Sequence, residues 1–427
     1  MTSTIDETQA LPLPDRVRGA LHRRLGDPVG RYRTTTASWR AALDRPLTSY
    51  YLLLGASALL LTIGLIMVLS ASSVYSYRVN DGDSYAVVKR QLMWMCLGLP
   101  VAYLASRVSI TFVRRLTLPA YGISLVLLTA TIFLGHEVGG NKNWLGVGGF
   151  SIQPAEVAKL ALVLWAAHVY ANKERRLDSL HQIIVPVVPG MLLATGLVLA
   201  GRDLGTALVF GGILMGMLWV VGAPWRFFAA SLIAVSAVAG ALALISPTRM
   251  ARLTTFTDPF SDFHNAGWQP AHGLYALSTG GWFGQGIGAS QQKWGDLPEA
   301  HTDFIFAVLG EELGLVGTLL VIGLFLTIAY AALRVARQTE SPFVRYATFG
   351  IVVWLLGQMI INVGMVLALL PVIGIPLPLV SYGGSSLLPS LVALGLLIGF
   401  ARREPEAARA LAARRRPVAG VSAGRRR

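Results

Sequence analysis

The stretch YLLLGASALLLTIGLIMVLSAS, residues 51–72, decides the fold class. It contains no charged residue, and a helix needs roughly 20 apolar residues to cross the hydrocarbon core of a bilayer. We therefore expect a membrane-spanning helix here. Outward from this stretch, further apolar segments bring the predicted number of transmembrane helices to about ten. The predicted spans are 51–72, 91–106, 117–134, 155–171, 183–200, 204–222, 227–246, 304–333, 345–370 and 384–401.

The composition of the whole chain is also that of a membrane protein. Of its 427 residues, 54% are hydrophobic and 14% are charged, whereas soluble domains carry about a quarter charged residues. The mean hydropathy of +0.58 excludes a disordered chain, which would be polar. The net charge of +14 could indicate a nucleic-acid binder, but long apolar runs separate the basic residues, so we expect no nucleic-acid partner. The sequence thus predicts an all-α, polytopic membrane protein.

The positions of Lys and Arg predict the orientation. If both termini are cytoplasmic, 27 of the 36 basic residues fall in cytoplasmic segments, where such residues concentrate. We therefore expect an N-in, C-in arrangement with a large extracytoplasmic loop, residues 247–303, between the seventh and eighth spans. The transmembrane domain is predicted at residues 50–402. Arg-rich tails, which suit contact with anionic membrane lipids, are predicted at residues 1–49 and 403–427.

The segment LPEAHTDFIF, residues 297–306, concentrates polar residues at a span boundary. Asp303 is predicted on the first turn of the eighth span, where a carboxylate can cap the helix or, if partly desolvated, act as a general base. Glu311 and Glu312 follow inside the apolar span, where acids are costly unless they are paired or hydrogen-bonded. A structural network and a direct functional role both remain open for these two acids.

A second polar group comprises NKNW, residues 141–144, and QPAEVAK, residues 153–159. A proline suits the first turn of a helix, and Glu156 and Lys159, three residues apart, then share one helix face. The pair can simply neutralise itself, or Lys159 can offer its ammonium to a phosphate in a cleft of low dielectric. Trp144 suits either an interfacial anchor or a surface on which a sugar stacks.

Two further polar segments are predicted on the outer side. Asp203, in GRDLGT, precedes another span and can be a helix cap or a functional group. The segment LPVIGIPLPLVSYGGSS, residues 370–386, contains three prolines and a Gly pair, so its backbone must be buried in protein or line a cavity. Its Ser381 and Ser385, with the free N–H groups at a helix start, can receive an anion or simply form a turn.

These four groups are far apart in sequence but all lie on or just beneath the predicted outer side. Their convergence indicates one outward-facing polar cleft. None of the segments contains a Ser-His-Asp arrangement, a His/Cys metal spacing, a Walker loop or a dinucleotide fingerprint. Because ATP is absent outside the membrane, chemistry in such a cleft requires an activated substrate.

The motifs resemble the SEDS family of membrane proteins, which comprises FtsW, RodA and SpoVE. The resemblance covers nearly all of residues 50–402 and rests on four motifs in the family's order. These are QPAE with Lys159, DLGT at 203–206, LPEAHTDF at 297–304 with Glu311 and Glu312, and PLVSYGGSS at 378–386. The stretches MVLSASS and NKNW look more like the FtsW branch, particularly its actinobacterial forms.

The resemblance implies a peptidoglycan glycosyltransferase that polymerises lipid II on the outer face of the bacterial cytoplasmic membrane. Septal wall synthesis with a class B penicillin-binding protein (an FtsI-like transpeptidase) and other division proteins is implied as well. Asp303 matches the family's acidic residue, proposed to deprotonate the acceptor sugar. Lys159 or a divalent cation, Mg²⁺ or Mn²⁺, would assist departure of undecaprenyl pyrophosphate.

The other expected site residues fall into two sets. The substrate-binding set is Trp144, Glu156, Lys159, Asp203, Lys293, His301, Thr302, Ser381, Tyr382, Gly383, Gly384 and Ser385. The supporting set is Glu311, Glu312, Gln358 and Asn362.

Three alternatives remain beside this interpretation: a RodA-like elongation glycosyltransferase, a lipid II flippase, and a division scaffold with a degenerate cleft. A flippase predicts functional charges near the bilayer midplane, whereas this sequence concentrates its acids at one face. A scaffold predicts normal division when Asp303 is replaced by Asn.

Overall fold

The computed structural model describes residues 45–138, 140–147, 150–245, 250, 256, 258–295 and 297–415. Most of the predicted N-terminal tail, and residues 416–427 of the predicted C-terminal tail, lie outside this set. Residues Ser49–Arg427 belong to one compact unit, which contains the candidate site.

Nine of the ten predicted spans each correspond to one helix, and the fifth, 183–200, covers two helices, Leu180–Ile184 and Val187–Ala200. The α-helices are α1 Thr48–Val79, α2 Ala86–Arg107, α3 Ile110–Leu134, α4 Pro154–Lys173, α5 Leu180–Ile184, α6 Val187–Ala200, α7 Leu204–Val220, α8 Trp225–Ile245, α9 Trp268–Gly280, α10 Ile305–Gln338, α11 Pro342–Val366, α12 Gly384–Ala401 and α13 Pro405–Arg415. Short 3₁₀ turns occur at Glu174–Arg176, Pro259–Asp262 and Gln292–Trp294.

Within the described residues, six helical segments are long and apolar enough to cross a membrane. They are Thr48–Val79, Ile110–Leu134, Leu180–Ala200, Ile305–Gln338, Pro342–Val366 and Gly384–Ala401. A helix pairs its backbone groups internally, so these segments suit a hydrocarbon environment. The polytopic, helical membrane fold is therefore confirmed, while the N-in, C-in orientation stays a prediction.

The helical fold includes one small antiparallel sheet that the sequence pattern does not predict. Its strands are β1 His136–Val138, β2 Asn141–Val147 and β3 Phe150–Ile152, in the order β1-β2-β3. Val138 pairs with Asn141, and Gly140 between them has a φ of +82°, a left-handed conformation that suits a tight hairpin and favours glycine. The sheet directly precedes α4.

Helix α10 is interrupted at Gly314, whose φ of 68° and ψ of −166° are not helical. The interruption frees backbone groups that an apolar environment would leave unsatisfied. The preceding loop pairs with them: Gln285 N donates to Glu311 O at 2.9 Å, and Leu315 N donates to Gly281 O at 2.9 Å. The described part of the predicted extracytoplasmic loop is thus fastened to α10, and it contains a helix of its own, α9.

Close helix packing holds the far end of the chain in the bundle. Helix α12 packs against α2, and a Cβ on Gly399 would lie 2.7 Å from Ser106 O, so a larger residue there would separate the two helices. Helix α11 packs against α10, α4 and α7, with Trp354 and Phe343 fully buried. This packing positions the N-terminal ends of α4, α7, α10 and α12, which carry the candidate site.

Candidate active site

Asp303 lies in a turn just before α10, not on the first turn of the helix as predicted. Phe304 occupies the N-cap position, and both Thr302 N and Phe304 N donate to Glu299 O at 3.1 Å, so the chain turns here before the helix begins. Glu299 has a φ of +55°, which is typical of such a turn. Asp303 is 7% exposed. Its position is therefore not that of a helix cap.

Asn362, which is fully buried in α11, fixes the backbone of this turn. Its Nδ2 atom donates to Asp303 O at 2.7 Å and to Ile375 O at 2.8 Å. One amide thus ties the Asp303 turn to the proline-rich segment. Because the bonds involve main-chain oxygens, the carboxylate is positioned without this amide binding it directly.

The Asp303 carboxylate lies beside a glycine and a hydroxyl. A Cβ on Gly374, which has a φ of +69°, would be 3.7 Å from Asp303 Oδ2. On the other side, Thr302 Oγ1 is 3.3 Å from Asp303 Oδ1 and donates to Glu299 Oε2 at 2.6 Å. The carboxylate is therefore partly desolvated but close to polar groups, the environment that a general base requires.

The rings of His301, Tyr75 and Tyr382 form an aromatic cluster next to Asp303. The His301 ring stacks on Tyr75, with ring centroids 4.8 Å apart, and is 5.7 Å from the ring of Tyr382. Tyr382 N donates to His301 O at 2.9 Å. Burial lowers the pKa of His301 below its ordinary value of 6.5, while Glu299 acts in the opposite direction. The imidazole is thus neutral at pH 7, and the cluster offers ring surfaces for a sugar.

The segment 370–386 connects the turn to the rest of the site. Ser381 Oγ accepts from Leu377 N at 2.8 Å and so closes a turn inside the segment. Gln91 in α2 donates to Ser381 O and accepts from Gly383 N, each at 3.3 Å. These contacts assign Ser381 and Gly383 to shaping the segment.

The start of α12 is held by two neighbours. Ser385 Oγ accepts from Gln153 N at 3.2 Å, which links it to the start of α4. Gly384 packs so closely on Trp94 that a Cβ there would overlap the indole. The N-terminal ends of α4 and α12 are therefore side by side, as convergence on one cleft requires.

Asp203 is the N-cap residue of α7. Its Oδ1 accepts from Thr206 N at 2.9 Å, and its Oδ2 accepts from Thr206 Oγ1 at 2.9 Å, Asn143 Nδ2 at 2.7 Å and Gln153 Nε2 at 3.2 Å. Four bonds account for a carboxylate that is 6% exposed. Of the two alternatives, helix cap and functional group, the geometry supports the helix cap.

Helix α7 also contacts the proline-rich segment. A Cβ on Gly205 would lie 2.6 Å from Ile373 O, so the cap of α7 and the carboxylate of Asp303 flank the same short stretch, residues 373–374. The structure thus brings the predicted groups around Asp203, Asp303 and Ser381 together.

Glu156 and Lys159 form a buried ion pair at the start of α4. Lys159 Nζ is 2.7 Å from Glu156 Oε1, and both side chains are almost fully buried. Glu156 Oε2 makes no hydrogen bond. In this arrangement Lys159 is neutralised by its neighbour. Trp144 is half-buried in β2, opposite His136 across the sheet.

Lys293, Glu311 and Glu312 belong to a separate network. Lys293 Nζ donates to Ser70 Oγ at 3.0 Å, Gly288 O at 2.6 Å and Glu312 Oε1 at 3.1 Å, which occupies its three N–H groups. Glu311 accepts from Ser290 Oγ at 2.5 Å and Gln291 N at 2.9 Å. The network joins α1, the loop and α10, which favours a structural role over the predicted substrate contact of Lys293.

Gln358, predicted as a supporting residue, bonds within its own helix. Its Oε1 accepts from Trp354 Nε1 at 2.6 Å, and its side chain is buried. Unlike Asn362, it has no described bond to the Asp303 turn.

The family resemblance implies a divalent cation, and the described side chains were compared with the ligand groups that hold one alone. Across the described ranges, no group of three or more His, Cys, Asp or Glu residues is arranged to hold a metal ion. A cation that is shared between one or two carboxylates and a substrate phosphate does not require such a group.

Two contacts of the site were missed from the sequence. Gln91 fixes the segment 370–386, and Tyr75 stacks on His301. Gln91 had a usable signal, since an amide that opens an apolar span is costly unless it finds partners. Tyr75 had none, because an aromatic near a span end is ordinarily an interfacial anchor.

Known sequences resemble this chain over most of its length. The FtsW/RodA/SpoVE family, described as a cell cycle protein, matches residues 50–405. The probable peptidoglycan glycosyltransferase FtsW of Mycobacterium tuberculosis is 42% identical over 387 residues, covering 90% of this chain and 73% of that protein. The protein of the same name from Hydrogenovibrio crunogenus is 36% identical over 368 residues, covering 84% and 93%.

Solved structures agree with these sequences. A chain from a peptidoglycan synthase complex, described as coordinating polymerization and crosslinking, has a TM-score of 0.68 and 28% identity, covering 83% of this chain and 97% of that one. The rod shape determining protein RodA of Thermus thermophilus has a TM-score of 0.61 and 28% identity, with the same coverages. The family match spans every residue of the site, and relatives agree in sequence and in fold, so the chain belongs to the FtsW/RodA/SpoVE family.

Proposed function

We propose that this protein is an FtsW-like peptidoglycan glycosyltransferase that polymerises lipid II, with Asp303 as the general base. The observation that carries the proposal is the partly desolvated carboxylate of Asp303, in a turn held by Asn362 beside the aromatic cluster of His301 and Tyr382. The relatives named as probable peptidoglycan glycosyltransferases support the choice of reaction.

In the proposed step, Asp303 accepts the proton of the acceptor sugar's hydroxyl. The freed oxygen attacks the anomeric carbon of the donor sugar, forming the new glycosidic bond. The bond between that carbon and the phosphate oxygen breaks, and the electron pair leaves with undecaprenyl pyrophosphate. The energy stored in this activated donor makes ATP unnecessary, and a correctly placed base contributes roughly a 100- to 10,000-fold rate increase.

Other groups are proposed to position the substrate. The rings of His301, Tyr75 and Tyr382 offer faces for a sugar, and Thr302 lies next to the base. Lys159 would have to leave Glu156 before it could bind the leaving pyrophosphate, so we propose that the pair supports the start of α4. Trp144 remains a proposed stacking residue.

The Mg²⁺ or Mn²⁺ dependence implied by the family resemblance stays a proposal. Since Mg²⁺ is usually held by one or two carboxylates together with substrate phosphates, we propose that such a cation is shared between the protein and the donor's pyrophosphate. Treatment with EDTA followed by addition of Mg²⁺ or Mn²⁺ tests this dependence. A loss of glycan synthesis that the added metal restores would support it.

We further propose that the protein works in the cytoplasmic membrane at the division septum with a class B penicillin-binding protein. The match to a chain from a complex that couples polymerization to crosslinking supports a crosslinking partner. Depleting this protein from cells distinguishes an FtsW-like role from a RodA-like role. Septal function predicts filamentous cells, whereas a RodA-like role in elongation predicts rounded cells.

Reconstitution separates polymerisation from transport. The protein with its partner in liposomes that contain lipid II is expected to yield glycan strands on a gel. An impermeant reagent that modifies exposed lipid II reports translocation in the same vesicles. Lipid II movement without polymer would overturn the proposal in favour of a flippase, and protein-free liposomes provide the background.

A further inference from the structure

A cavity of about 370 Å³ lies at the end of the bundle where α2 and α12 finish. Arg107 at the end of α2 and Arg402 and Arg403 after α12 form its basic wall. Ala408, Leu411 and Ala412, which share one face of α13, form its apolar wall. Helix α12 separates this cavity from the candidate active site by its 18 residues, about 27 Å.

The three arginines differ in how they are bonded. Arg403 donates from Nη2 to Val108 O at 2.6 Å and to Arg107 O at 3.3 Å, and from Nη1 to Gly399 O at 3.3 Å. It therefore satisfies carbonyls at the ends of two helices, a structural role. Arg107 lies over the ring of Tyr103, 4.8 Å from its centroid.

Over the described ranges, neither Arg107 nor Arg402 forms a salt bridge with an acidic side chain. Arg402 and Arg403 line the same cavity, and burial together with the charge of Arg402 lowers the pKa of Arg403. An anion placed between them would relieve this repulsion.

We propose that this cavity binds the phosphate of an anionic phospholipid headgroup. Arginine forks match phosphate oxygens in a bidentate geometry, and basic pockets between transmembrane helices suit such headgroups. The cavity lies where two bundle helices end, and its apolar wall suits the glycerol and upper acyl chain of a lipid better than a free anion. The predicted N-in, C-in orientation would put the cavity in the cytoplasmic leaflet.

Lipid titration of the full-length protein tests the site. Protein in phosphatidylcholine nanodiscs is titrated with phosphatidylglycerol, and bound lipid is counted by native mass spectrometry. We expect saturable binding that weakens at least tenfold, about 1.4 kcal/mol, in the Arg107→Gln/Arg402→Gln double variant. The matched control, Arg115→Gln/Arg226→Gln, removes two exposed basic residues from the same predicted side and should bind as the wild type does.

A second variant and a competitor complete the test. Ala408→Trp fills the cavity without changing its charge and should weaken binding as the arginine variant does, with unfolding temperatures verifying that each variant is folded. Wild-type affinity in either cavity variant would overturn the proposal. Inorganic phosphate should compete only weakly; competition as strong as that of the lipid would assign the cavity to a soluble phosphate and refute the headgroup.

Discussion

At the scale of residues, Asp203 and Asp303 show how similar sequence contexts lead to different roles. Both aspartates precede an apolar helix, and both are buried. Asp203 occupies the N-cap position and its carboxylate accepts four hydrogen bonds, whereas Asp303 lies one residue before the N-cap of α10 in a turn fixed through its backbone. The cap is therefore assigned to Asp203, and Asp303 is the carboxylate that we propose accepts the proton.

Replacing Asp203 separates these roles. Asn is as good an N-cap as Asp, and Asn143 can rotate its unpaired Oδ1 toward the new amide, so Asp203→Asn should keep polymerisation within about tenfold of wild type. Asp203→Ala loses the cap and leaves buried donors unpaired, which should cost about 1–3 kcal/mol of unfolding free energy. Thermal unfolding and glycan synthesis measure both. If a folded Asp203→Asn protein is inactive, Asp203 has a chemical role.

At the scale of elements, α10 and the loop before it form one unit. The interruption at Gly314 exposes the backbone groups to which the loop binds, and Lys293, Glu312 and Ser70 add a buried network. The sequence predicts the costly acids inside α10 but not this arrangement, because a lone glycine in an apolar helix is ordinarily tolerated. The partners of Glu311 and Glu312 come from distant segments, which sequence spacing alone does not place.

The glycine at the interruption should be irreplaceable. Gly314→Ala introduces a side chain at a φ of 68° and places its Cβ 2.6 Å from Phe283 N, so we expect a loss of at least about 2 kcal/mol of stability. Gly323→Ala in the same helix has open space around the new Cβ and should be neutral or slightly stabilising. Thermal unfolding compares the two. Equal stability of the two variants would contradict the proposed docking of the loop.

At the scale of the whole molecule, the bundle brings segments that are distant in sequence to one end. The sequence predicts this convergence because the lengths of the apolar runs and the polar residues at their ends can be read directly from the sequence. It does not predict the sheet of residues 136–152, whose strands are too short for a clear alternating pattern. It also does not separate Lys293 from the Asp303 turn, because that depends on the hydrogen bonds that join Lys293 to Ser70 of α1 and Glu312 of α10.

Cysteine labelling tests the orientation of the bundle. In a Cys96→Ser background, Ser278→Cys in α9 should react with a membrane-impermeant maleimide added to intact spheroplasts. Glu406→Cys in α13 should react only after the membrane is permeabilised, because the basic ends of the chain are predicted to be cytoplasmic. Both positions are exposed in the structure. The opposite labelling pattern would reverse the orientation and place Asp303 on the cytoplasmic side.

The central claim is that Asp303 removes the proton in glycan polymerisation. The most direct test is the initial rate of glycan synthesis from lipid II by the Asp303→Asn protein with its partner, compared with wild type and Asp203→Asn. Since Asn362 bonds the backbone and not the carboxylate, Asp303→Asn should keep the wild-type unfolding temperature yet lose about 100-fold or more of the rate. A folded Asp303→Asn protein that polymerises lipid II at the wild-type rate would contradict the account.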